Sequence, residues 1–73
     1  MATASEGDVA RLRAKYKPGD RVVLLSDMEG ERLRKGYTGT INHIDDIGTI
    51  HVRWDVGSTL GIIPGIDTFR VIR

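Results

Sequence analysis

A chain of 73 residues has room for one hydrophobic core, and a domain of this size buries only about 60% of the surface its unfolded form exposes. Cysteine is absent, which excludes disulfides, thiolate-ligated zinc or iron–sulfur centres and thiol catalysis, and no apolar run approaches the ~18 residues of a membrane-spanning helix. The net charge of +1 divides into −2 over residues 1–10, +4 over 11–35 and −1 over 36–73, a basic segment able to attract phosphate or an acidic protein face yet well short of a dedicated nucleic-acid binder.

Residues 1–4 are small and polar and read as a disordered tail. Residues 1–8 offer neither a basic n-region nor an apolar h-region, so no signal peptide and a cytoplasmic location are expected. Residues 5–17 form the next unit. Ser5 can cap a helix with Asp8 three residues on, while Val9, Leu12 and Tyr16 recur on one face and Arg11 and Lys15 on another. Pro18-Gly19 ends it. About eleven helical residues are marginal alone in water, so the Val9/Leu12 stripe must dock on the body, serve a partner or fray.

Residues 18–73 carry the β-rich body. The first strand runs from Asp20 to Ser26, and its unbroken apolar stretch Val22–Leu25 leaves the inner face unassigned. Asp27–Gly36 is a long charged loop that Leu33 can pin to the body. Thr38–Ile44 and Thr49–Trp54 are strands joined by the turn Asp45–Gly48. Pairing across a four-residue turn sets Ile44 against Thr49, His43 against Ile50, Ile41 against Val52 and Gly39 against Trp54. The other face then holds Asn42 against His51 and Thr40 against Arg53. Gly39, lacking a Cβ, leaves room for the indole to fold over the backbone.

Asp55-Val56-Gly57 makes the next turn. Valine at positive φ is costly, so a type I turn with Gly57 in the left-handed region fits, which pairs Trp54 with Ser58, Val52 with Leu60 and Ile50 with Ile62. Both turns therefore put Ile50, Val52, Trp54, Leu60 and Ile62 on one inner face. Ile63–Asp67 reads as a 3₁₀ turn around Pro64 and Gly65. Thr68–Ile72 is a final strand with Phe69 and Val71 on one side. The expected fold is all-β, a small SH3-like five-stranded barrel, closed or nearly so, with a short N-terminal helix.

The segments Lys17-Pro18-Gly19-Asp20-Arg21-Val22-Val23-Leu24, Gly39-Thr40-Ile41, Ile50–Ser58 and Ile63–Phe69 resemble an uncharacterised family of small bacterial proteins found on conjugative elements, plasmids and phages. That family bears a domain-of-unknown-function label. Its PGDRV start, I-x-V-x-W-D-x-G-S hairpin and I-P-G-x-D-x-F ending cover roughly residues 15–72. Val56 stands where the family pattern suggests Asn, which favours the bulged turn. The resemblance implies the barrel fold and a bacterial mobile-element or phage setting; it implies no particular activity.

The residues point to binding rather than catalysis. No Gly-x-Ser-x-Gly or P-loop pattern frames a nucleophile or a phosphate, and so small a chain offers little concave volume for a substrate. No enzyme activity, cofactor, metal, small-molecule substrate or membrane contact is expected. In the register above, His43 and His51 fall on opposite faces and cannot share an ion. Asp45 and Asp46 read as turn residues. The candidate partner-binding groups are Arg11, Lys15 and Lys17 at the helix end, and Arg32, Arg34 and Lys35 in the long loop. Tyr37 beside that loop, and His51 and Arg53 on the outer sheet face, complete the set. If the loop folds beside the helix, the two basic clusters make one positive surface. The functional expectation is a non-enzymatic interaction module for a protein partner, an accessory factor with occlusion of a host protein as one version of its role; the alternative is weak, sequence-independent nucleic-acid binding.

Overall fold

The computed structural model describes residues 6–28, 33–65 and 67–72. The expected disordered tail, the N-cap Ser5 and the loop cation Arg32 lie outside them. Helix α1 (Glu6–Lys15) precedes five strands: β1 (Arg21–Leu24), β2 (Thr38–Ile44), β3 (Ile50–Trp54), β4 (Gly61–Ile62) and β5 (Phe69–Ile72). They form one antiparallel sheet in the order β4-β3-β2-β1-β5. The sheet is open: among the described residues β4 and β5 do not pair, in contrast to the closed or nearly closed barrel expected. β4 is two residues long, and Pro64, with no amide hydrogen to give a ladder, follows it closely. No helix among the described residues is long and apolar enough to cross a membrane.

The core lies on one face of the sheet. In β1 the apolar run resolves into strict alternation, with Val22 and Leu24 buried, Val23 half-buried and Leu25 exposed. Ile41, Ile44, Ile50, Val52, Trp54 and Ile62 complete the sheet's contribution, and Phe69 and Val71 pack against it from β5. The two described ends of the long loop fold in from one side. Leu33 is buried as expected, and Met28 joins it, its N–H donating to Leu33 O at 2.9 Å. Helix α1 docks on the same core through half-buried Leu12 and Tyr16, and its Val9 is buried. Arg13 latches it, donating from Nε (3.2 Å) and Nη2 (2.9 Å) to Ile44 O at the end of β2 and from Nη2 to Asp46 (3.0 Å).

Trp54 and Gly39 face each other as the sequence indicates. A Cβ on Gly39 would stand 2.7 Å from Val52 Cγ1 and 2.9 Å from both Arg53 O and Trp54 Cε3. The indole is 1% exposed, and its one polar atom, Nε1, donates to Leu60 O at 2.9 Å. The β2–β3 register is kept at this end but lost at the other. Ile41 pairs with Val52, yet His43 pairs with His51 and Ile44 with Ile50. Asn42 is the extra residue of a β-bulge, so Asn42 and His43 both face outward and Ile44 turns into the core. The expected pairs His43–Ile50, Asn42–His51 and Ile44–Thr49 are thereby corrected.

The turn explains the shift. Asp45 N–H donates to Thr49 O (3.0 Å) and Gly48 N–H to Asp45 O (3.1 Å), leaving a three-residue loop, Asp46-Ile47-Gly48, with Gly48 at φ 89°. Asp55-Val56-Gly57 is built alike, with Trp54 N–H to Ser58 O, Gly57 N–H to Trp54 O and Gly57 at φ 99°. One signature, Asp–aliphatic–Gly, thus makes both hairpins. The 3₁₀ turn expected over Ile63–Asp67 includes Ile66, which lies outside the described residues. Asp67 N–H donates to Ile63 O (3.0 Å), and Asp67 Oδ2 accepts from Ile63 N–H (2.9 Å), closing the loop with its own side chain.

The outer face is stapled across three strands. Arg21 of β1 gives two bonds to Asp55 after β3 (2.8 and 2.6 Å) and one to Thr40 Oγ1 of β2 (3.0 Å), and Thr38 Oγ1 donates to Asp55 (2.6 Å). These donors, Arg21 foremost, hold the Asp55 carboxyl well below the usual carboxylate range.

Gly39→Ala is expected to cost about 1–3 kcal/mol in urea denaturation, because two of the three atoms it meets cannot move freely. Leu33→Ala should cost about 2–5 kcal/mol by the same measurement and release the loop. Asp55→Asn should lower the melting temperature at pH 7. A depressed carboxyl stabilises the fold above its unfolded-state pKa of about 4 and loses that contribution in more acidic solution, so the gap between variant and parent should narrow below that pH.

Candidate functional site

The bulge gives the outer face of β2–β3 its character. With Asn42 and His43 both turned out, His43 stands beside His51 of β3, their rings stacked at 4.4 Å between centroids and 9° between planes. The expectation that the two histidines occupy opposite faces is overturned by the bulge. Asp45, in the turn, fixes one member of the pair. Its Oδ2 lies 2.8 Å from His51 Nε2, while its Oδ1 accepts from Ile47 N–H (3.1 Å) and Thr49 N–H (2.9 Å). These bonds, that from His51 foremost, hold the Asp45 carboxyl below its ordinary range. The carboxylate therefore closes the turn and orients an imidazole at once.

Beside the stack runs an open groove of about 320 Å³, lined by Thr40, Asn42, His43, His51, Arg53 and Thr59. Arg53 is exposed and makes no ion pair with any described residue, whereas the Arg21 guanidinium one strand further on is engaged by Asp55. The groove thus combines one uncompensated guanidinium, a flat imidazole surface, an amide and hydroxyl groups. A guanidinium fork with neighbouring hydroxyls suits a carboxylate or another planar anion. Parallel stacked rings direct their nitrogens alongside one another rather than at a common point. Among the described residues no group of three or more histidine and acidic side chains is placed to hold a metal ion.

Of the other nominated cations that the structure describes, Arg11, Lys15, Lys17 and Arg34 are engaged near where they stand, and Lys35 is bonded through its backbone. Arg11 pairs with Asp8 (2.6 Å), Lys15 Nζ sits 5.3 Å from the Tyr16 ring centroid, and Lys17 Nζ caps the helix C-terminus at Ala14 O (3.0 Å) and Arg13 O (3.4 Å). Arg34 lies 3.8 Å from Asp27, which also accepts from the backbone N–H of Lys35 (2.8 Å). Tyr37 is half-buried and packed against the core, not displayed. Among the described residues no hydrogen bond, ion pair or ring contact joins the helix cations to the loop cations. His51 and Arg53 are the nominated residues that the fold brings into one groove. Thr40, Asn42, His43 and Thr59 were missed. The available signal was Ile41 and Ile44, two aliphatic residues three apart in one strand, which can both face the core only if a residue between them is unpaired.

Asp45→Ala should break the stack's anchor without touching the core. The expected outcome is faster hydrogen exchange at the Ile47 and Thr49 amides and loss of ring-to-ring contacts between His43 and His51 in NMR spectra. Unchanged exchange would show that the turn holds itself.

No curated protein and no solved structure shows a significant match to the chain. One family does, over residues 5–72, which takes in α1, all five strands and the groove. Its boundaries fall at the first and last elements of the fold, and the chain belongs to DUF4314, a family defined as a domain of unknown function.

Proposed function

We propose that this chain is a non-enzymatic SH3-like interaction module that takes an acidic segment of a partner protein into the groove between β2 and β3. The strand order, the long β1–β2 loop and the two tight hairpins support the SH3-like reading, with β4 and β5 as its unjoined ends. The observation that carries the functional reading is Arg53, a guanidinium with no carboxylate partner among the described residues, on a face where the neighbouring arginine has one. An incoming Asp or Glu would supply the missing partner, and the imidazole stack would take the apolar part of a flanking side chain. The Asp45–His51 pair serves the hairpin that builds the groove, which fits holding a ligand better than turning one over. The likeness of the PGDRV and W-D-x-G-S segments to proteins of bacterial mobile elements and phages supports an accessory role in that cytoplasmic setting, with occlusion of a host factor as one form of it.

A protein partner is favoured over nucleic acid because most of the described basic side chains outside the groove already have local partners, and Tyr37 offers no open platform for base stacking. The test is an amide NMR titration of the labelled protein with the peptide acetyl-Gly-Asp-Glu-Asp-Gly-amide, and separately with single- and double-stranded oligonucleotides, at low and physiological salt. The reading expects peptide shifts at Asn42, His43, His51 and Arg53, about tenfold weaker binding in Arg53→Ala, and flat oligonucleotide spectra at physiological salt. Oligonucleotide shifts spreading over residues 11–17 and 34–35, with about one unit of log K lost per log salt for each phosphate neutralised, would replace it with nucleic-acid binding.

A further inference from the structure

The backbone of β5 carries a second docking element, two strands away from the groove. Leu25 N–H donates to Thr68 O at 2.9 Å, and the same register continues through Val23↔Arg70 and Arg21↔Ile72. Antiparallel pairs alternate between those that exchange hydrogen bonds and those that do not. Arg70 and Ile72 therefore turn their N–H and C=O groups toward β1, while Phe69 and Val71 turn theirs away from it. No strand lies beyond β5 among the described residues, so these two donor–acceptor sets face outward along a sheet edge. On the outer face of that edge Arg70 is exposed and makes no ion pair with any described residue; on the inner face Phe69 and Val71 are only half-buried.

We propose that β5 accepts an extended segment of a partner protein as an antiparallel sixth strand, with an acidic side chain opposite Arg70 and apolar side chains on either side of it. The inference deepens the reading of the chain as a protein-binding module and rests on it, but uses a surface separate from the groove. The bonds would come from the backbone of Phe69 and Val71 and the selectivity from Arg70. A second copy of this chain is the poorer occupant. The register that engages both free sets on each copy pairs Phe69 with the second copy's Val71 and centres Arg70 on its counterpart, setting like charges directly opposite. A carboxylate at that position turns the same contact favourable. Half-buried Phe69 and Val71 also leave apolar surface for the flanking side chains to cover.

The experiment uses the whole labelled protein. Hydrogen exchange in the free state should show the Phe69 and Val71 amides exchanging faster than those of Arg70 and Ile72. The peptide acetyl-Thr-Val-Glu-Val-Thr-amide should then shift and protect Phe69 and Val71, and its lysine-for-glutamate counterpart should bind about fivefold more weakly. Arg70→Glu, an exposed substitution, should invert that preference. The proposal is overturned if Phe69 and Val71 are already slow to exchange, if neither peptide shifts them, or if the two peptides bind alike. Concentration-dependent shifts of these amides without peptide would assign the edge to self-association instead. Peptide shifts confined to Asn42, His43 and Arg53 would overturn the edge and leave the module reading standing, whereas shifts at β5 with a silent groove would do the reverse for the groove.

Discussion

The packing of the Trp54 indole over Gly39 fixes how β2 and β3 may pair, and much of the molecule follows from it. The contact admits no Cβ at residue 39 and so ties that position to Trp54. At the opposite end of the hairpin, Asp46-Ile47-Gly48 imposes a pairing one residue out of step, because a three-residue loop sets Asp45 rather than Ile44 against Thr49. A regular ladder cannot satisfy both ends. The difference is absorbed at Asn42, where β2 carries one residue more than its partner. The bulge is the local cost of two turn-and-packing preferences that are each favourable, and the burial of Ile44 alongside Ile41 helps to offset it.

The outer face inherits its chemistry from that compromise. Two successive outward residues bring His43 beside His51, and the same turn that forces the bulge supplies Asp45 to hold the imidazole. One row further along, Asp55 binds Arg21 and both threonines of β2 lend hydroxyls, so charge on that row is compensated and serves cohesion. Arg53 stands between the two acids and is matched by neither. In a chain without disulfides, with a sheet left open, side-chain bonds across strands do part of the work that closure would do elsewhere. The separation of compensated from uncompensated arginines is what distinguishes scaffold from candidate contact surface.

Much of the fold was legible in the residues. Alternation and turn chemistry placed β2 to the residue, and Gly39 opposite Trp54 and Gly57 at positive φ followed from steric arguments that hold locally. The run Val22–Leu25 was not legible, because four apolar residues in a row carry no parity and only their neighbours decide which two are buried. The docking of α1 was likewise open in the sequence. The residue that latches it, Arg13, lies outside the apolar stripe and finds a backbone carbonyl 31 positions away. The candidate site was half visible. His51 and Arg53 could be assigned to the outer face from β3 alone, but His43 required knowing which of two acceptable turns the Asp-rich segment adopts, and a shift of one residue reverses every facing beyond it. Clustering of the basic residues by position in the chain said little about the surface, since ion pairing with nearby acids decided which of them remain available.

Because Asn42 belongs to no pair, β2 undergoes a change of phase there: even-numbered residues point outward before it and His43, an odd-numbered one, points outward after it. A chain lacking this single position would keep Ile41 and Ile44 inward and would lose only one groove side chain, while any substitution at it alters the groove and leaves the core untouched. The fold therefore holds a locus at which the outer groove is free to diversify without renegotiating the interior. Within this family, length variation at that point of β2 would reshape the groove and leave the core packing as it is.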